Sequence, residues 1–216
     1  MVRTIFHALF IFSLSALSFS TESFAQSSVG LNTTLIPVGT SVYFWGYDNS
    51  HHLKLFTVDD GSDVVRQVMD FNPGGDDTFL YGVYKVAGNK LYFPAYKPGT
   101  TDSKIYVATA GSSAAPTQVS NTAGAGASDI PQFFSNASAT AIYFRAYNAD
   151  AMTRLYAIKL ADDTVSQISQ GCIDGFGAPC DEDPGNVEII GTNIYFSAND
   201  NTGAPNMFVK RGAAAT

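Results

Sequence analysis

The chain has 216 residues, 45% of them hydrophobic, 13% aromatic and only 14% charged; that balance excludes intrinsic disorder and supports a packed core. Nineteen acids against twelve bases give a net charge of -7 with no basic run, which argues against a surface that tracks nucleic-acid phosphates. Nineteen Gly, nine Pro, eleven Tyr and sixteen Phe point to many short strands joined by turns.

The first segment reads as an address. Arg3 supplies a positive charge, Ile5 to Phe19 form an apolar run too short to span a bilayer comfortably, and Ser23-Phe24-Ala25 places small residues where a signal peptidase reads. Residues 1–25 are expected to be a signal peptide, leaving 26–216 as one secreted or periplasmic domain without a membrane span.

Four repeated units follow, at about 33–71, 80–120, 131–169 and 186–211. The first carries a turn at Gly39-Thr40-Ser41, then Val42-Tyr43-Phe44, Leu55-Phe56 and Gln67-Val68. The second repeats the order with Gly88-Asn89-Lys90, Leu91-Tyr92-Phe93, Ile105-Tyr106 and Gln118-Val119. The third has Ala137-Ser138-Ala139-Thr140 at its turn, then Ile142-Tyr143-Phe144, Leu155-Tyr156 and Gln167-Ile168. Between units three and four, Cys172 and Cys180 bracket a short Gly-rich segment containing Pro179. In an oxidising compartment that spacing predicts a local disulfide, contributing about 2–3 kcal/mol on the chain-entropy model. A catalytic thiol or metal pair would need partners that are missing, because His51 and His52 are the only histidines after the leader. The fourth unit has Gly191-Thr192-Asn193, Ile194-Tyr195-Phe196 and Met207-Phe208, but no Gln-Val element.

The aromatic tripeptides recur at intervals of 49, 51 and 52 residues, the mark of a repeat architecture. Each unit reads as a four-stranded antiparallel meander: an inner strand, the Tyr-Phe strand, the apolar-aromatic strand and the Gln-Val strand. Consecutive residues of the Tyr-Phe strands are apolar, so both faces of each sheet must be buried. A β-propeller-like fold satisfies this, because each blade packs on two neighbours. A sandwich or barrel gives no reason for the nearly constant internal spacing. Small residues two beyond each Phe, namely Gly46, Ala95, Ala146 and Ala198, fit close approach between blades. The last unit lacks its outer strand; if the ring closes, Ser27 to Asn32 are the residues expected to supply it.

Leu55-Phe56-Thr57-Val58-Asp59-Asp60-Gly61-Ser62 followed by Asp70-Phe71-Asn72-Pro73-Gly74 resembles the ELWxxDGT-repeat family of exported bacterial propeller proteins. Phe56 stands where that family has Trp, and Asp59 adds one residue before the Asp-Gly pair. More distantly, the chain is similar to Tol-type periplasmic propellers. Both resemblances imply binding or scaffolding modules and carry over no catalytic residue.

In such a meander the loops between strands two and three open on the same end as the links between blades. The loops hold Asp48, Asp102, Asp150 and Asp200; the links hold Asp76, Asp77, Asp129, Asp174, Asp181, Glu182 and Asp183; Lys97 is the one base placed among them. This predicts an acidic, loop-rich face that attracts cations or a basic partner, although Asp is also a turn former in its own right. Tyr47, Tyr96 and Tyr147 stand at equivalent strand ends, either as an aromatic rim for a protein or glycan ligand or as caps on the core. His51 and His52 are expected to be solvated. Asp174, Asp181 and Asp183, with Glu182 and Asn186 nearby, are the candidate ligands for Ca2+, without an EF-hand spacing. No certain cofactor and no catalytic residue can be assigned, since nucleophile elbow, zinc-binding helix and phosphate loop are all missing from the sequence. The expected function is that of an exported binding or scaffolding module. A carboxylate-dependent glycoside hydrolase or lyase is the second reading, and a piece of a larger propeller, for instance a homodimer, is the third.

Overall fold

The computed structural model describes residues 34–62, 64–78, 83–169, 172–173 and 179–212. The signal peptide, Ser27 to Asn32 and Asp174 therefore lie outside the described residues.

The first sheet runs β1 (Ile36–Val38), β2 (Ser41–Tyr47), β3 (Leu53–Asp59) and β4 (Arg66–Gln67), hydrogen-bonded in chain order. The second runs β5 (Lys85–Ala87), β6 (Lys90–Tyr96), β7 (Ser103–Thr109) and β8 (Thr117–Gln118). The third runs β9 (Gln132–Ala137), β10 (Ala141–Tyr147), β11 (Thr153–Lys159) and β12 (Val165–Gln167). After a two-stranded ladder of β13 (Cys172–Ile173) and β14 (Pro179–Cys180), the last sheet has three strands, β15 (Gly185–Ile190), β16 (Asn193–Asn199) and β17 (Pro205–Lys210). This is the all-β, propeller-like arrangement read from the repeats, with three strands in the fourth unit among the described residues.

Turn chemistry sets the register of each meander. Val38 faces Ser41, Ala87 faces Lys90 and Ile190 faces Asn193 across two-residue turns that begin with Gly39, Gly88 and Gly191. All three glycines have positive φ, between 53° and 61°, which the tight hairpin requires. The third unit has no glycine there. Its two-residue turn is Ala139-Thr140, with Ser138 N–H bonded to Ala141 O at 3.0 Å; Ser138 Oγ accepts the N–H groups of Thr140 and Ala141 (3.2 and 2.8 Å), and the β9–β10 ladder shifts register between Ile142 and Phe144.

The cores then follow from strand alternation. One face of β2 and β3, bearing Tyr43, Trp45 and Leu55, packs on Leu91, Phe93 and Tyr106 of the second sheet. The opposite face of the second sheet, bearing Tyr92 and Ile105, packs on Ile142, Phe144 and Tyr156 of the third. Tyr143 and Leu155 on the third sheet's far face pack on Ile194 and Phe196 of the fourth. Directly opposed rings bind strand to strand within the blades: Phe44 with Phe56, Phe144 with Tyr156 and Phe196 with Phe208 stack at 5.8, 5.5 and 5.8 Å. Among the described residues no core cluster joins the first and fourth blades. Ile190, Met207 and Val209 on the outward face of the fourth blade are 64, 78 and 43% exposed.

Candidate functional site

The loops between the second and third strands of each blade close by one repeated device. The residue four beyond each Phe donates its N–H across the turn: Asp48 to His52 O (2.9 Å), Lys97 to Asp102 O (2.7 Å), Asn148 to Met152 O (2.9 Å) and Asp200 to Ala204 O (2.8 Å). In three of the four blades its side chain then accepts the N–H groups inside the turn. Asp48 Oδ1 takes Ser50 and His52, Asn148 Oδ1 takes Asp150 and Met152, and Asp200 Oδ1 takes Thr202 and Ala204. Equivalent positions are thus Asp48, Lys97, Asn148 and Asp200. Asp102 and Asp150 stand elsewhere in their turns, Asp102 half-buried and Asp150 exposed. Burial works against the Asp48 charge, but the N–H groups of His52 and Ser50 outweigh it and hold the carboxyl below its ordinary value. The Thr202 hydroxyl and N–H do the same for Asp200. His51 is exposed at a φ of 65°, and His52 lies half-buried with Nδ1 3.6 Å from Asp48.

Three of the acids assigned to the outer face lie inside the protein. Asp77, Asp129 and Glu182 are 0, 0 and 6% exposed. Each lies within a blade link, and its carbonyl accepts an N–H from the next blade: Tyr96 onto Asp77, Tyr147 onto Asp129 and Asn199 onto Glu182 (2.8, 2.9 and 2.7 Å). The N–H groups of Asp77 and Asp129 donate back to Leu53 O and Ser103 O, at the start of the third strand of the blade they leave (both 2.9 Å). Such an acid stitches two blades through its backbone, which forces its side chain indoors.

Burying a carboxylate demands a cation and further donors. Lys54 and Lys104, 1 and 0% exposed, meet Asp77 and Asp129 at 3.0 and 2.8 Å. Lys54 also reaches Asp70 (2.5 Å) and Asn72 O (2.9 Å), while Lys104 reaches Asn121 Oδ1 and Gly124 O (3.1 and 3.0 Å). Burial disfavours the Lys54 charge, but its bonds to Asp70 and Asp77 outweigh that and hold its pKa above the ordinary value. Arg154, 3% exposed, takes the same position in the third blade. The small residues after each Phe now have a reason: Gly46, Ala95 and Ala146 lie directly opposite Lys54, Lys104 and Arg154 and leave room for these long side chains. The residue before each link acid has its own repeated task. Asp76 Oδ1, Ser128 Oγ and Asp181 Oδ1 accept the first N–H of the third strand from Leu53, Ser103 and Thr153. The fourth blade drops both devices, with Pro205 in place of that N–H donor and Asn206 in place of the cation.

Sequence reading missed this buried polar layer. A basic residue recurs one position before Leu55, Ile105 and Leu155, and a base inside an apolar strand was the available signal. What remains outside is a smaller acidic set: Asp76, Asp150, Asp181 and Asp183 exposed, with Asp48, Asp102 and Asp200 half-buried. Lys97 is not their only base, because Arg145 Nη1 reaches Asp183 at 2.5 Å.

The carboxylates considered for calcium have other partners. Asp181 Oδ1 accepts the N–H and hydroxyl of Thr153, Asp183 pairs with Arg145, and Asn186 Nδ2 donates to Ser197 Oγ at 3.3 Å. Among the described residues no group of three or more metal-ligating side chains converges. Tyr47, Tyr96 and Tyr147 do share one register position, opposite Leu53, Ser103 and Thr153. Tyr47 is 45% exposed and the other two are half-buried.

No protein family matches the chain, so the ELWxxDGT resemblance has no family match behind it, and no curated protein matches it either. Among solved structures it is similar to TolB from Acinetobacter baumannii, at 14% identity and a TM-score of 0.40, covering 81% of this chain and 43% of that one. A putative TolB from Agrobacterium tumefaciens follows at 11% identity and a TM-score of 0.44, covering 81% and 59%. A structure from a study of two prolyl endopeptidases gives 9% identity and a TM-score of 0.26, covering 85% and 42%. The chain spans about half the length of these structures. Two of the three are of the Tol type that the sequence resembles distantly; the propeller-like fold itself rests on the chain's own sheets and the faces they bury.

Proposed function

We propose that the chain is an exported binding or scaffolding module that recognises a protein or glycan ligand through the loop end of its blades. The observation that carries this reading is the row of Tyr47, Tyr96 and Tyr147 at one register position on consecutive blades, beside the exposed carboxylates of Asp76, Asp150 and Asp181. Rings with a polar tip next to carboxylates suit the apolar faces and hydroxyls of a sugar or the basic side chains of a protein. Surface carboxylates held ionised by their own turns, as at Asp48 and Asp200, make poor general acids, which favours binding over glycoside cleavage. The test is a screen of the mature protein against glycans and basic peptides, with and without calcium. Binding that Tyr47→Ala and Tyr147→Ala weaken supports the module, and released sugar would overturn it in favour of hydrolysis.

Export, and with it a secreted or periplasmic location, follows from the leader and is checked by sequencing the N-terminus of the processed protein, expected at Gln26. Cys172 and Cys180 are direct partners across the β13–β14 ladder. Opposed residues of an antiparallel pair lie about 4.5–5.5 Å apart at Cα, within the reach of a disulfide, and we read them as bridged. A second reading, half of a larger ring made with another copy, draws on the exposed face of Ile190, Met207 and Val209. The mass of the protein in solution separates it from a monomer.

A further inference from the structure

Each boundary between consecutive blades joins two different faces. The forward face, toward the next blade, carries the repeated Tyr and an aliphatic residue of the third strand: Tyr43 with Leu55, Tyr92 with Ile105, Tyr143 with Leu155. The rearward face of the following blade carries an opposed aromatic pair: Phe93 with Tyr106, Phe144 with Tyr156, Phe196 with Phe208. At the turn end, the turn after the third strand docks on the preceding blade. Gly111 N–H meets Ser41 Oγ at 2.9 Å and Arg66 Nη2 meets Ser112 O at 2.7 Å, while Lys90 Nζ and Tyr92 OH donate to Asp163 at 2.7 and 2.6 Å.

The first and fourth blades each carry the half of such a boundary that no other blade of the chain meets. On the rearward face of the first, Phe44 stacks on Phe56 between Val42 and Val58, and all four are half-buried where Phe93 and Phe144 are wholly buried. The forward face of the fourth has Tyr195 with Met207 and Val209. Met207 is 78% exposed, although Leu55, Ile105 and Leu155, which hold its position in the other blades, are 0% exposed. The turn ends of the two faces differ in charge. Asp60 follows β3 and Arg211 follows β17, both exposed. By the placement at the inner boundaries, the turn that holds Asp60 belongs against the start of a preceding second strand, and Arg211 stands beside the start of β16.

We infer that the forward face of the fourth blade packs on the rearward face of the first blade of a second copy, head to tail, with Met207 and Val209 on Phe44 and Phe56 and Arg211 at Asp60. This rests on the larger-ring reading above and supplies its geometry. Two copies related by a two-fold axis make both contacts at once and close eight blades, roughly the upper limit for a propeller. The contact buries the residue types of an inner boundary at the same places, so it draws on the same apolar gain. Pairing of the fourth blade with its own equivalent would set Arg211 near Arg211 and leave Phe44 and Phe56 uncovered. Residues 26–33 hold only Val29 and Leu31 as large apolar residues, too few to cover both faces.

Light scattering of the mature protein at about 50 µM is expected to give twice the monomer mass. Met207→Asp, at an exposed position, and Val58→Asp, on the rearward face, should each weaken association at least about tenfold. An equimolar mixture of these two variants should recover a dimer, because the intact forward face of one meets the intact rearward face of the other. Self-paired faces give no such rescue. Arg211→Glu should weaken association and added Asp60→Arg should restore it, which keeps the test decisive if Val58→Asp folds poorly. A monomer overturns both this inference and the larger-ring reading. A dimer unmoved by Val58→Asp and Asp60→Arg overturns the head-to-tail contact and leaves the larger ring standing. Dimers that form only after removal of residues 26–33 also overturn it, since that segment would then be what covers the face.

Discussion

Lys104 and Asp129 form the most completely buried ion pair of the blade links: both side chains are 0% exposed and their charged atoms are 2.8 Å apart. Consider Lys104→Met, which keeps most of the aliphatic stem and removes the ammonium. Asp129 would retain the Ala123 N–H at 2.9 Å and the Ser120 hydroxyl at 2.6 Å, two donors for a buried charge that now has no counter-ion. Asn121 Oδ1 and Gly124 O would each lose their donor as well. Removing one partner of a buried pair costs about 3–5 kcal/mol, and for a domain of this size that lowers Tm by about 6–20 °C. The exposed pair gives the control: Arg145→Met breaks a contact whose side chains are 31 and 58% exposed and should cost less than about 1 kcal/mol. Urea unfolding of both variants, followed by tryptophan fluorescence at Trp45 and by circular dichroism, measures the difference. Equal losses for Lys104→Met and Arg145→Met, or a double change to Met and Leu at 104 and 129 that costs the sum of the singles, would refute the claim that the pair acts as one buried unit.

Burial raises the pKa of Tyr106 and Tyr156 to about 12, and raises Tyr43 and Tyr143 as well. Because the folded value exceeds the unfolded one, their contribution is complete below pH 10 and is lost as pH climbs through the folded pKa; phenolate absorbance should therefore appear together with unfolding, and free titration at pH 10 in the folded protein would contradict it. Phe144→Ala removes a fully buried ring and should cost about 3–5 kcal/mol, while Phe208→Ala, on a ring 37% exposed, should cost less than half as much in the same unfolding assay. If Cys172 and Cys180 are bridged, intact mass should rise by about 2 Da on reduction, and Cys172→Ser together with Cys180→Ser should destabilise by about 2–3 kcal/mol. Calcium should leave Tm unchanged to within about 1 °C, because Asp181 and Asp183 already answer Thr153 and Arg145; a larger rise would restore the metal reading.

The repeat was legible in the sequence because its physics is local. Tight turns need a residue such as Gly39 or Gly88 that accepts positive φ, and strands buried on both faces need the consecutive apolar residues of Val42-Tyr43-Phe44 and its three counterparts. Counting those positions was enough to give the four meanders, their order and the missing outer strand. The side of the protein on which each acid lies was a different question. Asp76 and Asp77 are neighbours of the same chemistry, yet one is exposed and the other wholly buried, because only Asp77 has its backbone tied to both blades and Lys54 waiting at its side chain. That outcome depends on residues 23 positions apart meeting at a blade boundary, and so it was decided by packing. Asn206 is a second case: it reads as one more polar residue until the fold sets it where the other three blades keep a long cation. Hydrophobic periodicity acts along the strand and survives translation into one dimension, whereas the balance between burying a charge and pairing it is struck only where distant segments converge.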